Sequence, residues 1–88
     1  MDDDLRILQS ALKHGVAADD IQSVLQRPVY EVVTRQGPLK VMVLGVDSML
    51  RPIEIVYVIN DDGTKVVIHA MSASRAFLNR VRRERKGL

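Results

Sequence analysis

Apolar residues near the start of the chain recur as Leu5, Leu8 and Leu12, at i, i+3 and i+7, with Ala11 beside them. That spacing predicts one face of a short helix. Asp2, Asp3 and Asp4 stand at its start, where carboxylates meet the positive end of the helix dipole, and Gly15 after His14 supplies a stop. A second short helix is predicted from Ile21, Val24 and Leu25 on one face and Asp19 and Asp20 in the first turn. Arg27-Pro28 ends it, because the residue before proline is pushed out of the α region.

From Val29 onward the pattern becomes strand-like. Residues 29–35 are rich in β-branched side chains. Gln36-Gly37-Pro38 reads as a turn, and residues 39–46 are nearly all apolar except Lys40, which predicts an internal strand. A loop through Asp47 and Arg51 leads to a third strand over 53–59. Asn60-Asp61-Asp62-Gly63 is a hairpin signal, since these residues tolerate positive φ, and residues 65–71 return as a fourth strand. Short connections between successive strands imply antiparallel neighbours. Ser72 or Ser74 can cap a final helix whose apolar stripe is Phe77, Leu78 and Val81, while Arg75, Arg82 and Lys86 share another face. The expected fold is α+β: one domain over 1–88, with two N-terminal helices, a four-stranded antiparallel sheet and a basic C-terminal helix.

Composition narrows the chemistry. Hydrophobic residues make up 47% of the 88, enough for a core, but only Tyr30, Tyr57 and Phe77 are aromatic. The absence of cysteine removes disulfides, thiolate nucleophiles and every cysteine-based metal site. No apolar run reaches the roughly 18 residues of a membrane span, and the acidic start lacks the pattern of an export signal. A cytoplasmic location is therefore expected. The net charge of +2 is unevenly spread: residues 1–74 hold 7 Lys/Arg against 10 Asp/Glu, whereas residues 75–88 hold 6 against 1. The final helix is thus a basic element suited to a polyanion or an acidic partner.

Arg75, Arg80, Arg82 and Arg83 are candidates for phosphate contacts, because a guanidinium can grip a phosphate through two parallel N–H bonds. The run Arg82, Arg83, Arg85 and Lys86 equally fits a solvated helix end that complements the negative C-terminal dipole. His14 and His69 are the only histidines and can exchange a proton at an RNA 2′-hydroxyl or a leaving 5′-oxygen. A structural strand residue is the plainer reading of His69, as is a helix-end residue for His14. Without cysteine, and with the carboxylates mostly in helix starts and turns, no metal site is expected. No phosphate-cradling glycine loop is present.

Several strings in order also carry a resemblance. Lys13-His14-Gly15-Val16, then an acidic short helix and Arg27-Pro28-Val29, resembles the opening of BrnT-type toxins. Leu50-Arg51-Pro52-Ile53-Glu54-Ile55-Val56 is similar to a later strand of those proteins, and Val67-Ile68-His69-Ala70-Met71 to a string in related small toxin-like proteins. The resemblance runs from about Leu5 to Val81. The last strand here continues as Ala70-Met71-Ser72-Ala73-Ser74-Arg75, where BrnT proteins have Ser-Ala-Arg, so Arg75 matches only approximately.

The resemblance implies a RelE-like fold and a metal-independent endoribonuclease, the toxin of a type II toxin–antitoxin pair, with no cofactor. The implied partners are an RNA substrate and a cognate antitoxin of ribbon-helix-helix type. The catalytic positions it implies are His14, His69, Arg51 and Arg75, with Lys13 beside them. One histidine would move the proton while Arg51 and Arg75 hold the scissile phosphate. Lys13, Arg80, Arg82 and Arg83 would bind flanking RNA phosphates. The alternative is a catalytically silent module that binds a protein or nucleic acid through the same scaffold.

Overall fold

The computed structural model describes residues 4–85. Five strands and two α-helices follow one another: β1 (Leu5–Ile7), a 3-10 helix (Gln9–Leu12), α1 (Ala18–Gln26), β2 (Tyr30–Arg35), β3 (Lys40–Val46), β4 (Pro52–Ile59), β5 (Lys65–Ser72) and α2 (Arg75–Arg85). The sheet order is β1-β5-β4-β3-β2. The meander β2 to β5 is antiparallel as expected, and β1 adds a parallel strand at the β5 edge.

The fold class is therefore α+β, with two corrections. The sheet is five-stranded and mixed rather than four-stranded and antiparallel. The first predicted helix is replaced by β1 and the 3-10 helix. Leu5 and Ile7 alternate with exposed Arg6 and turn their side chains to the core, a period of two hidden within the Leu5, Leu8, Leu12 spacing. Pairing with β5 gives their backbone a ladder, extended by Lys65 N–H donating to Asp4 C=O (2.8 Å) and Leu8 N–H to Val67 C=O (3.1 Å). An isolated two-turn helix has no comparable source of stability. Asp2 and Asp3 lie outside the described residues.

Both sheet faces are covered, which explains why the central strands read as continuous apolar runs. On β3 and β4 the odd positions Val41, Val43, Ile53, Ile55 and Tyr57 face α1, joining Ala11, Ile21 and Val24. The even positions Met42 and Leu44 face α2 and meet Phe77 and Val81. α1 ends at Gln26 as the Arg27-Pro28 step dictates. Ser74 caps α2, its Oγ accepting from Phe77 N–H at 3.1 Å.

β5 carries one irregularity that matters for the site. Val56 pairs with His69 but Tyr57 pairs with Val67, leaving Ile68 as the extra residue of a bulge. Val67 and Ala70 can therefore both face the α1 core, while His69 is turned to the α2 side. In an unbroken ladder running from Tyr57–Val67, His69 would fall opposite Ile55, on the α1 side.

α1 lies against β3 at Gly45, where an added Cβ would collide with both methyl groups of Val24. Gly45→Ala is expected to destabilise the protein by about 1–3 kcal/mol through overpacking. Urea denaturation checks this, and Val24→Ala in the same chain should recover part of the loss because the two effects share one contact.

Candidate active site

The bulge and the register of β4 against β5 create a charged cluster in the α2-facing layer. Glu54 lies mid-sheet on β4, opposite Met71 and diagonal to His69. It is 5% exposed, and a buried carboxylate at such a position needs donors. It has two: its Oε2 is 3.1 Å from His69 Nε2, and its Oε1 accepts from the Ser74 backbone N–H at 2.7 Å. One carboxylate thus ties the β5 histidine to the start of α2.

His14 completes the cluster. The β1 ladder stops at Val67, and the 3-10 helix packs beside the rest of β5 before the turn at Gly15 (φ +86°). The His14 ring sits edge-on to His69, with ring centroids 6.0 Å apart. The two histidines of the chain, 55 positions apart in sequence, are thereby neighbours. His14 is exposed and His69 half-buried, so the pair opens to solvent on one side and rests on Glu54 on the other.

With Glu54 ionised, Nε2 of His69 carries the proton and donates to Oε2. In the neutral ring the lone pair then lies on Nδ1. A histidine held in one tautomer by a buried carboxylate, beside a second imidazole, is equipped for paired proton transfer. Among the described residues no group of three or more His, Asp or Glu side chains is placed to hold a metal ion.

The expected basic residues fall into three groups. Arg51 is held by its own loop: its Nε donates to Asp47 Oδ2 at 2.9 Å, although its side chain is 70% exposed. Arg80 pairs with Glu84 along α2 at 3.1 Å. Arg75 and Arg82 line a shallow groove with Ala73, Leu78 and Asn79, its lining flanking Ser74 in sequence. Lys13 is exposed next to His14, and Arg83 is exposed on α2. Lys86 lies outside the described residues. His14 and His69 therefore come together, with Arg75 close in sequence to the Ser74 contact, while Arg51 is engaged by Asp47 rather than by the histidines.

Glu54, Ser74 and Asn79 were not among the expected site residues. The signal for Glu54 was available: it is a lone acid inside the apolar run of 53–59. A charge at such a position is retained only if paired. Comparison with protein-family models, curated proteins and solved structures gives no match for this chain.

The Arg51 loop is organised by Asp47, whose Oδ1 accepts from both Met49 N–H and Arg51 N–H at 2.9 Å. The Arg51 N–H foremost lowers the Asp47 pKa; burial opposes it, and the Met49 N–H and the Arg51 guanidinium add to the lowering. A lowered folded-state value means stability that is present above the ordinary aspartate range, about 4, and lost as pH falls through the folded value. Asp47→Asn should therefore be less stable than the wild type at neutral pH, with the gap in Tm closing below about pH 4. Thermal melts across that range check it; parallel curves would show that the charge contributes nothing.

Proposed function

We propose that this chain is a metal-independent endoribonuclease of RelE/BrnT-like type, acting as the toxin of a type II toxin–antitoxin pair. The observation that carries the nuclease reading is the Glu54–His69–His14 cluster, with the carboxylate bonded to one imidazole and the second imidazole 6.0 Å away. The toxin reading is supported by the ordered strings around His14, Arg51 and His69 in the sequence. The antitoxin is of the ribbon-helix-helix type.

In the proposed reaction, His69 takes the proton of a ribose 2′-hydroxyl at Nδ1 while Glu54 stabilises the imidazolium that forms. The 2′-oxygen attacks the neighbouring phosphorus and the P–O5′ bond breaks. His14, protonated, gives its proton to the leaving 5′-oxygen. The products are a 2′,3′-cyclic phosphate and a 5′-hydroxyl. Arg75, one residue beyond the Ser74 contact with Glu54, supplies positive charge for the phosphorane-like transition state.

Purified protein incubated with RNA in the presence of a chelator tests this. The wild type is expected to yield 2′,3′-cyclic phosphate ends. His69→Ala should lower kcat by about 10²- to 10⁴-fold, the usual worth of a positioned acid or base. Expression should arrest growth, and co-expression of a cognate antitoxin should relieve it. Wild-type protein that leaves RNA intact, or a His69→Ala variant as active as the parent, would refute the proposal.

A further inference from the structure

Resting on the nuclease reading for its orientation, we infer that the groove on α2 is the subsite along which a single-stranded RNA is led to the histidine pair. Arg75, Asn79 and Arg82 stand at i, i+4 and i+7, one face of the helix, and Leu78 and Ala73 line the same groove. At a rise of about 1.5 Å per residue the two arginines are about 10 Å apart along the axis, which suits a chain of phosphates better than a single anion.

Their charge is uncommitted. Among the described residues neither Arg75 nor Arg82 has a carboxylate within ion-pair distance, whereas Arg51 is bonded to Asp47 and Arg80 to Glu84. The sequence offers a run of equivalent arginines, and the ion pairs separate them into engaged and available ones.

The rest of the lining fits a nucleic acid rather than a simple acidic peptide. Leu78 and Ala73 give an apolar surface for a ribose or base face, and the Asn79 amide offers both a donor and an acceptor to a base edge. No aromatic side chain lines the groove, so the guanidinium planes are its stacking surfaces, and it is an unpaired strand that can present base faces to them. The groove's end at Ala73 and Arg75 flanks Ser74, whose N–H is bonded to Glu54. A strand held there lies next to the Ser74 contact with Glu54, the carboxylate that holds His69.

A short single-stranded oligodeoxynucleotide is the probe, because without a 2′-hydroxyl it binds but is not cleaved. Its affinity for wild-type protein should fall with salt between about 50 and 200 mM, and the Arg75→Ala/Arg82→Ala double variant should flatten the log–log slope by about 1.4, at about 0.7 per lost phosphate contact on a single strand. Arg27→Ala/Arg35→Ala, which removes equal charge from positions outside the groove lining, should leave the slope unchanged. In RNA cleavage Arg82→Ala should raise KM with kcat kept, and the double variant should raise KM and also lower kcat through the loss of Arg75, whereas His69→Ala lowers kcat and keeps oligonucleotide affinity. Oligonucleotide binding that depends on Arg75 and Arg82, in a wild type that cleaves no RNA, supports the groove while removing the nuclease reading. Cleavage that depends on His69 with KM unmoved by the double variant overturns the groove alone. Displacement of the oligonucleotide by polyglutamate at equal charge concentration overturns it as well, since the face would then be a general anion surface.

Discussion

The carboxylate of Glu54 is the interaction on which the arrangement of the α2 side depends. An unpaired carboxylate buried in a sheet costs several kcal/mol, so β4 tolerates this one only because two donors reach it. Each donor comes from a different element: the imidazole from β5 and the backbone N–H from the residue that caps α2. Hydrogen bonds to a charged group contribute about 1.5–3 kcal/mol each, and losing either donor leaves the charge under-satisfied. The same atom pair that satisfies a buried charge therefore fixes the His69 ring and the point where α2 begins.

Two features of the sheet make that contact geometrically possible. The bulge at Ile68 turns His69 away from the α1 core, and the short β1 ladder stops at Val67, leaving the end of β5 beside the segment that carries His14. The 3-10 helix then brings His14 to the His69 ring. Packing and chemistry are separated by face: the larger apolar cluster lies under α1, while the α2 side combines a smaller cluster with the polar group. Because α2 is held at Phe77 and Val81, its next face, with Arg75, Asn79 and Arg82, remains open to solvent.

Much of this was legible in the sequence. Strands expected over 29–35, 39–46, 53–59 and 65–71 lie within about one residue of β2 to β5, because β-branched runs and the Gly37 and Gly63 turns mark them locally. β1 was not legible, since three residues are too few to show a period and their partner is β5, some sixty positions away. Both histidines stood out by type, yet their proximity depends on a bulge that no local pattern announces. Glu54 was passed over as one polar residue in an apolar strand, although a charge there implies a partner. Arg51 was expected at the scissile phosphate by resemblance, whereas its pairing with Asp47 four residues earlier depends on the loop's closed turn, which no local pattern announces.

The central claim is that Glu54 holds His69 with its proton on Nε2 and its lone pair on Nδ1. NMR of isotope-labelled protein reads this directly, from the couplings of the His69 ring nitrogens to the ring protons. The neutral ring in the wild type should be the Nε2–H tautomer. In Glu54→Gln, whose amide can donate as well as accept, that preference should be lost while the fold is kept. A His69 ring protonated on Nδ1 in the wild type, or a tautomer indifferent to Glu54→Gln, would contradict the account.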